Sequence, residues 1–519
     1  MDILAIKLIN MRRYKLLFLM MLAVVFGYSQ STIWHFGGGG GLRFNTNGTT
    51  STFSGGATVY PNPGNANHTP EGSSVTTDAN GNVIFYTNGK TIWDGSNTVI
   101  STSLVGGTSS TESSLIVPVP TLACEKFLVF TTVGVDDSNF SDGLGVALID
   151  VNGTAPPYTV SVLGTPQSLQ AGTYFSEKLT ATSDKNGGWW VVAHDFGYNA
   201  SGTGANAKTF YVYHITSAIA TATNTASAVT ILNNNKQTFN VTSSTSHNSF
   251  SGSSNKHTAG QGQMKFSKDG TKLGLTIARQ QTVDLFDFNT INGQITFKTS
   301  FQPNGSPANQ QLYGLEFSPN GNILYIAEWL NTGNERILQY DLNSSDILGS
   351  QQTIASASTT SYYNFSAMQL GVNDKIYIAG SGTGLSTLSS IDNPNVLGTG
   401  CNFNSASTSI SGASVLGLPN VISGITSCAH MGDYTSINEE NEMSEVSIYP
   451  NPSSGFININ SDIEKGNYEV RDINGRILLE DKFFNNVSLN ISDLANGIYY
   501  LTIKDGSLIS KTHKIILNK

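Results

Sequence analysis

The chain has 519 residues, a net charge of −9 and only 12% charged residues, against roughly 25% in typical globular proteins. The acidic balance argues against a nucleic-acid partner, because phosphate binding needs basic patches. A hydrophobic content of 39% is too high for simple disorder, and the 53 glycines are typical of a turn-rich, exported β-protein.

The first 29 residues have the order of a secretory signal peptide. Basic residues in Met11–Lys15 precede eleven apolar residues, Leu16–Phe26, a run too short to span a bilayer comfortably. Small residues at the third and last positions before the cleavage point predict that the Sec machinery exports the chain and that cleavage falls between Ser29 and Gln30. Met11 is a candidate for the true start, and a long basic leader is the alternative.

Residues 30–436 repeat one pattern, in which a polar turn precedes a short β-rich run and often a second run ending in Asp or His. Gly270, Gly321 and Asp374 mark successive turns that lie 51 and 53 residues apart. Repeats near this length with four short strands are typical of β-propeller blades. Six units are visible, and a seventh is expected where Val421–Tyr434 closes against Trp34–Phe44.

The sequence therefore predicts an all-β protein with a β-propeller of about seven blades, with six or eight left open. The alternative is a pair of β-sandwiches, whose strands would not repeat at this period. A further set of segments resembles the propeller-like region of many Bacteroidetes surface proteins, including ones linked to gliding motility. Those segments are Trp34–Phe44, Glu71–Asn82, Ile92–Asp94, Ile116–Pro120, Glu177–Ala181, Gln369–Gly371, Lys375–Tyr377, Asn393–Asn395, Gly400–Phe403 and Leu416–Asn420. The resemblance implies location and export route better than chemistry.

No catalytic residue, metal ligand or cofactor is predicted. Gly37–Gly41 lacks the preceding βα unit of a phosphate-binding loop. His194 ends an apolar strand and no G-x-S-x-G elbow accompanies it, which favours a structural histidine. Asp284 and Asp287 form a carboxylate pair, but sequence spacing cannot establish that two carboxylates face each other across a pocket.

Two sets of residues leave alternatives open. Trp189 and Trp190 could form a sugar-stacking binding face, and buried packing between blades is the other interpretation. Cys401 and Cys428 could form a disulfide in an oxidising envelope, whereas the alternative leaves all three cysteines as buried thiols.

An acidic linker, residues 437–445, leads to a C-terminal module, residues 446–519. Nearly alternating apolar residues before an Asn474–Gly475 turn, and the apolar pair Ile477–Leu478 after it, predict a hairpin. Residues 498–503 alternate as in a strand packed on both sides. The module resembles the type A sorting domain of the Bacteroidetes type IX secretion system. The residues that carry the resemblance are Tyr449, Pro450, Asn451, Pro452, Gly455, Gly475, Gly497 and Tyr499. A plain small β-sandwich without a sorting role is the alternative.

The resemblance implies passage through the periplasm to the cell surface or the medium. Its implied partners are the type IX outer-membrane translocon and the proteins that process or attach such tails. Together these features predict a non-enzymatic binding, adhesion or envelope-associated protein with a glycan or surface-protein ligand. The alternative is a secreted propeller hydrolase that acts on glycans with carboxylates lining its channel.

Overall fold

The computed structural model describes residues 28–29, 32–45, 47–52, 71–78, 80–121, 125–135, 137, 142–153, 155–195, 209–240, 260–306, 311–329, 333–359, 364–380, 386–422, 447–460, 466–472, 476–483, 486–505 and 509–519. The chain divides into two compact units, Met1–Tyr434 and Thr435–Lys519. The predicted linker 437–445 lies outside the described residues. Across the described ranges, no helix has both the length and the apolar character needed to cross a membrane.

The first unit begins with four short strands, β1 (Tyr28–Ser29), β2 (Ile33–Phe36), β3 (Gly40–Phe44) and β4 (Thr50–Thr52). Six antiparallel sheets follow in chain order, and we number them blades 1 to 6. Blade 1 contains β5 (Ser74–Asp78), β6 (Val83–Thr87), β7 (Ile92–Asp94) and β8 (Val99–Ser101), and the short β1 joins its edge by pairing with β5. Blade 2 contains β9 (Ser114–Pro118), β10 (Lys126–Thr131), β11 (Gly145–Asn152), β12 (Thr159–Val162) and the short β13 (Gln167–Ser168).

Blade 3 contains β14 (Phe175–Ser183), β15 (Trp189–Asp195), β16 (Thr209–Ile215) and β17 (Lys236–Asn240). A 3₁₀-helix (Ser217–Thr221) and helix α1 (Thr225–Asn234) connect its last two strands. Helix α1 starts at a capping box, in which Asn224 and Ser227 exchange side-chain and backbone hydrogen bonds. Blade 4 contains β18 (Met264–Phe266), β19 (Lys272–Ile277), β20 (Thr282–Phe288) and β21 (Ile295–Phe301), with a 3₁₀ turn at Ala278–Gln280.

Blade 5 contains β22 (Gln311–Phe317), β23 (Ile323–Trp329), β24 (Gly333–Asp341) and β25 (Gln352–Thr359), preceded by a 3₁₀ turn at Leu348–Ser350. Blade 6 contains β26 (Met368–Leu370), β27 (Ile376–Ile378), β28 (Thr387–Ile391) and β29 (Phe403–Ser409), with a 3₁₀ turn at Gly398–Cys401. The strands β2, β3 and β4 form a seventh sheet, blade 7. The prediction of a propeller of about seven blades is therefore confirmed.

Separate apolar clusters fill the spaces between successive blades, as expected for sheets that bury both faces against their neighbours. One cluster joins blades 1 and 2 through Phe85 and Phe127, whose rings meet edge to face at 5.4 Å. Others join blades 2 and 3, 3 and 4, 4 and 5, and 5 and 6. This arrangement explains why the strands are nearly continuous apolar runs.

Blade 7 closes the ring between blades 6 and 1. Trp34 packs against Tyr377 of blade 6 with ring centroids 5.5 Å apart, in a cluster that also contains Leu416 and Leu418. On the other side, β2 contacts β5, and Ser73 bridges to Pro419. The described residues that close the ring against blade 7 lie between Ser411 and Pro419, upstream of the predicted segment Val421–Tyr434. Residues 423–434 of that segment lie outside the described part of the chain.

The repeated turns between the first and second strands explain the period seen in the sequence. Gly270 and Gly321 have φ values of +77° and +68°, and Asp374 takes the same left-handed conformation at +60°. Glycine adopts this conformation without steric cost, and Asp tolerates it better than most residues. Turns at matching positions in three successive blades therefore carry the same conformational requirement.

The second unit is a small β-sandwich. One sheet has the order β30 (Ser447–Tyr449), β31 (Phe456–Asn460) and β34 (Asn486–Asn490). The other has the order β33 (Ile477–Phe483), β32 (Gly466–Arg471), β35 (Gly497–Asp505) and β36 (Ile509–Leu517). The pairing of β32 with β33 confirms the predicted hairpin, whose Asn474–Gly475 turn lies outside the described residues.

The alternation in β35 is confirmed, but the prediction that both faces are packed is wrong. Leu501 and Ile503 are buried in the sandwich core, whereas Ile498 and Tyr500 are 41% and 42% exposed. The three-stranded sheet covers only the inner face of this strand, so the side chains at alternate positions face out of the core.

Candidate functional site

Ionisable side chains occupy the innermost strands of the propeller, next to its axis. Glu112 precedes β9, Glu177 and Lys178 lie in β14, Lys265 lies in β18, and Glu316 lies in β22. All five residues are at most 3% exposed. Charged groups are rarely buried unless they are paired, so their partners decide what the cluster can do. We call these five residues the axial cluster.

The three carboxylates of the axial cluster accept hydrogen bonds from backbone N–H groups of other blades. Glu112 in blade 2 accepts from Leu179 of blade 3 at 2.7 Å and from Met264 of blade 4 at 3.3 Å. Glu316 in blade 5 accepts from Leu370 of blade 6 at 2.9 Å and from its own neighbour Phe317 at 2.9 Å. These contacts connect strands that are distant in the sequence.

Glu177 in blade 3 connects back to blade 2. Its Oε2 accepts hydrogen bonds from the backbone N–H and the hydroxyl of Thr111, at 2.9 and 2.6 Å. Its Oε1 accepts a hydrogen bond from the Val135 backbone at 2.9 Å. Both carboxylate oxygens of all three glutamates are therefore engaged by donors of the protein itself.

The two lysines complete the connections across the axis. Lys178 donates to the carbonyl oxygens of Gly260 and Gln261 at 3.0 and 2.8 Å, ahead of blade 4. Lys265 donates to Gln369 Oε1 of blade 6 at 2.8 Å, and its Nζ lies 3.7 Å from Glu112 Oε1. Hydrogen bonds of this kind, with an ionised partner, are roughly twice as strong as neutral ones.

Burial changes the protonation of the cluster. It raises the pKa of Glu112 to about 7, although Lys265 and the N–H groups of Leu179 and Met264 oppose the change. It also raises the pKa of Glu316 to about 7, again opposed by Lys265. Burial lowers the pKa of Lys178 to about 8, against the influence of the neighbouring glutamates. Carboxyl groups with such pKa values can serve in acid–base catalysis only where a substrate reaches them.

A second feature is a cleft of about 520 Å³ at the junction of blade 7 with blade 1. Three sets of residues line it: Ile33, His35 and Arg43 of blade 7, Asn82–Ile84 and Asp94–Asn97 of blade 1, and Pro156–Tyr158 between β11 and β12. We call this the seam cleft. The turns that follow the first and third strands of an antiparallel blade lie on one face of the ring, so the cleft opens on that face.

Stacked rings support the floor of the seam cleft. His35 stacks on Tyr86 with centroids 4.5 Å apart, and Tyr86 stacks on Trp93 at 5.3 Å. Burial lowers the pKa of His35 to about 4, so this ring is neutral at pH 7. Tyr158 donates to Asp78 Oδ2 at 2.8 Å, which fixes the blade 2 turn against blade 1.

Arg43 is the half-buried cation of the seam cleft. Its hydrogen bond runs from Nη1 to the Gly81 carbonyl oxygen at 3.1 Å, and within the described ranges it forms no ion pair. Asp94 uses Oδ1 to accept from the Ser96 and Thr98 backbones at 2.9 and 2.8 Å. The cleft thus presents unused guanidinium donors and a carboxylate oxygen.

Of the two interpretations of Trp189 and Trp190, the structure supports buried packing between blades and not a sugar-stacking binding face. They are 3% and 2% exposed, because successive residues of a strand point to opposite faces and each face of blade 3 is covered by another blade. Trp189 donates to the Pro118 carbonyl oxygen of blade 2 at 2.9 Å. Trp190 donates to the Thr290 carbonyl oxygen of blade 4 at 2.7 Å and stacks on His214 at 3.8 Å.

Other candidates from the sequence take structural positions. Gly37–Gly39 form the β2–β3 connection, where Gly38 donates to the Ala413 carbonyl oxygen at 2.9 Å, and Gly40 and Gly41 lie in β3. His194 is buried and meets the Phe210 ring edge to face. Asp284 is buried, whereas Asp287 is exposed and lies 3.6 Å from Lys298 Nζ, so this pair does not share a pocket.

Cys401 is a buried cysteine of blade 6. Cys124 and Cys428 lie outside the described residues, so pairing of Cys401 with Cys428 stays a prediction. Ser29 lies in β1, which pairs with β5, and Gln30 lies outside the described residues. Cleavage between Ser29 and Gln30 likewise stays a prediction.

The opening motif of the second unit is attached to its last strand. Asn451 Nδ2 donates to the Lys514 carbonyl oxygen at 2.7 Å, and its Oδ1 accepts from the Ile516 backbone at 2.9 Å. The Ser453 backbone also donates to the Ile516 carbonyl oxygen at 2.8 Å. Tyr449 is 51% exposed beside this joint.

The other motif residues shape the turns of the sandwich. Gly455 has a φ of +150°, and its carbonyl oxygen accepts from the Ile491 backbone at 2.8 Å. Gly497 begins β35, and the buried Tyr499 donates to the Ala495 carbonyl oxygen at 2.7 Å. Pro450 and Pro452 flank Asn451, and Gly475 lies outside the described residues.

Residues 447–518 match the family described as "Secretion system C-terminal sorting domain". The second unit is thus a sorting domain of the type IX secretion system. The chain is accordingly a protein that interacts with this machinery and is exported to the cell surface or the medium. No curated protein matches the chain.

Solved structures share the fold only remotely. A periplasmic gluconolactonase from Pseudomonas aeruginosa is 12% identical and has a TM-score of 0.41, over 76% of this chain and 98% of that one. A proposed 6-phosphogluconolactonase from Bacteroides fragilis is 12% identical with a TM-score of 0.40, and the match again covers 76% of this chain and 98% of that one. The Myceliophteria thermophila Cps50 (Swd1) β-propeller domain is 10% identical with a TM-score of 0.32, over 68% and 94%. These likenesses transfer no activity.

Proposed function

We propose that the propeller is a non-enzymatic binding module, which the sorting domain delivers to the outside of the cell for adhesion or envelope association. The observation that carries this proposal is the engagement of the axial carboxylates. Glu112, Glu177 and Glu316 are buried, and their oxygens accept hydrogen bonds from backbone groups of the ring itself. A catalytic carboxylate needs contact with a reacting group, and these oxygens are already used to connect blades.

Recognition then falls to the turns at the rims of the ring. Loops on a rigid scaffold are the usual location of binding residues, because they vary without disturbing the core. The ligand would be a glycan or a surface protein, and the Sec machinery followed by the type IX translocon would deliver the protein. Attachment to the surface by the tail-processing proteins, and a part in gliding, belong to the same proposal.

A secreted glycan hydrolase is the second candidate, and one observation favours it. Glu112 and Glu316 have pKa values of about 7 and lie near the axis, which is the range that acid–base catalysts use. Opening of the channel during turnover would bring these groups to a substrate.

The test uses the exported protein, purified from the medium or released from the cell surface. It is incubated with a glycan panel and with solubilised envelope proteins, and both capture and turnover are measured. Binding without turnover is expected. Turnover that is lost in Glu112→Gln and in Glu316→Gln, while both variants stay folded, would establish the hydrolase instead.

A further inference from the structure

We propose that the seam cleft binds a saccharide that carries a carboxylate, such as a uronic acid unit of an acidic polysaccharide. This inference rests on the binding function proposed above and specifies its site and ligand class. A volume of about 520 Å³ lies within the range of roughly 300–1,000 Å³ that small-molecule sites occupy. The cleft lies on three separate segments, which meet only when the ring is closed.

Arg43 indicates that the ligand carries an anionic group. A half-buried guanidinium without a carboxylate partner is costly, because desolvation is not repaid by an ion pair. The hydrogen bond to the Gly81 carbonyl oxygen uses one N–H and fixes the direction of the side chain. The remaining N–H donors form a planar fork that fits the two oxygens of a carboxylate.

The blade 1 side of the cleft indicates that the ligand also carries hydroxyl groups. Asp94 keeps Oδ2 without a hydrogen-bond partner in the described part of the chain, while Oδ1 is fixed by the Ser96 and Thr98 backbones. A carboxylate oxygen only accepts hydrogen bonds, so it requires a ligand with O–H or N–H donors. The exposed Asn82 donates from Nδ2 to Asp78 Oδ2 at 2.8 Å. Within the described part of the chain its Oδ1 accepts no hydrogen bond, so it can accept one from a ligand.

Apolar contact is available beside these polar groups. Pro156 and Pro157 are exposed on the blade 2 turn, and Val83 is half-buried on the blade 1 side. Such surfaces can pack against the C–H face of a sugar ring, while the ring hydroxyls and carboxylate reach Asp94 and Arg43. A neutral saccharide would offer the guanidinium fork only hydroxyl and ether oxygens, without the charge of a carboxylate, and an aliphatic acid would leave Asp94 without a donor.

Isothermal titration calorimetry on the exported protein tests the assignment. The probes are oligosaccharides that contain galacturonate, glucuronate, mannuronate or sialate, each compared with the same oligosaccharide after reduction of its carboxyls to alcohols. At least one acidic probe is expected to bind, and its reduced form is expected to bind about tenfold more weakly or worse. Equal binding of the reduced form, or no binding of any acidic probe, would overturn the inference.

The variants Arg43→Gln and Arg279→Gln form a matched pair. Both remove one positive charge, but Arg279 is exposed on blade 4, away from the cleft. Only Arg43→Gln should weaken the acidic probe by about tenfold or more, with the melting temperature unchanged, and Arg43→Lys should restore part of the affinity. Unchanged affinity in Arg43→Gln would refute the site. Capture of a neutral glycan or an envelope protein by that variant would still leave the broader binding function intact.

Discussion

Replacement of Lys265 by Met should destabilise the propeller, and the loss should depend on pH. Lys265 Nζ is 3.7 Å from Glu112 Oε1, where the charge–charge attraction is about 4 kcal/mol at an effective dielectric constant of about 20. Removal of one partner of a buried pair generally costs about 3–5 kcal/mol, because the remaining charge stays buried. At pH 8, where Glu112 and Glu316 carry charge, we expect a loss of about this size.

At pH 5 the same substitution should cost only about 1–2 kcal/mol. Both glutamates are then protonated, since burial raises their pKa to about 7, and the lost interaction is mainly the hydrogen bond to Gln369. The assay is urea unfolding followed by tryptophan fluorescence. All five tryptophans precede residue 330, so the signal reports the propeller and not the sorting domain.

Lys298→Met is the matched control. Lys298 lies 3.6 Å from Asp287, but the two side chains are 37% and 59% exposed, so this pair should contribute about 0–1 kcal/mol at either pH. A loss below about 1 kcal/mol for Lys265→Met at pH 8, or an equal loss at pH 5 and pH 8, would refute the account of the axial cluster.

Three further predictions concern the whole fold and its export. The folded-state pKa values of Glu112 and Glu316 are raised, so their stabilising contribution is complete below about 4.5 and is lost as the pH rises through about 7. The folded-state pKa of Lys178 is lowered to about 8, so its contribution is lost as the pH falls through 8; urea unfolding across pH 4–10 should therefore find a minimum near pH 7–8. Trp190→Ala should lower the free energy of unfolding by about 3–5 kcal/mol, because Trp190 is buried between blades. The control Ile291→Ala, whose side chain is 68% exposed on the adjoining turn, should change it by less than about 0.5 kcal/mol. Equal losses of stability in the two variants would contradict the packing described. Deletion of residues 446–519 should leave a folded propeller in the periplasm, and cell fractionation that finds the truncated protein in the medium would contradict the role of the tail.

The blades could be predicted from the sequence because their turns impose a local requirement. Gly270, Gly321 and Asp374 adopt left-handed conformations at the same place in three blades, and only a few residue types do so readily. The hairpin of the sorting domain was predictable for a related reason, since the Asn474–Gly475 pair between two runs with apolar residues favours a tight turn. Both features depend on residues that are adjacent in the sequence, so the sequence is enough to predict them.

The axial cluster could not be predicted, although a signal was present. Glu112, Glu177, Lys265 and Glu316 each occur at the first strand of a successive blade, in a chain with only 12% charged residues. A charged residue beside an apolar run usually indicates a solvent-facing position. Only the closure of the ring places these side chains together, because most of their partners lie more than fifty residues away in the sequence.

The sequence alone decided neither the role of the tryptophan pair nor the existence of the seam cleft, and the reasons differ. Trp189 and Trp190 have the aromatic character of a sugar-binding platform, but burial by the neighbouring blades decides their role. The seam cleft is formed by three segments that are distant in the sequence, and none of its lining residues is an exposed aromatic side chain. No sequence motif therefore indicates the cleft. In both cases the decisive fact is which blade lies next to which.

The position of blade 7 has a consequence for the order of folding. Its strands β2–β4 precede blades 1 to 6 in the sequence, yet Gly41 pairs with Ser411 and Trp34 packs against Tyr377 of blade 6. These apolar strands can therefore be covered only after blade 6 has formed. Such non-local pairing slows folding and leaves apolar surface exposed in the meantime. We therefore expect ring closure by blade 7 to be the last step in the folding of the propeller.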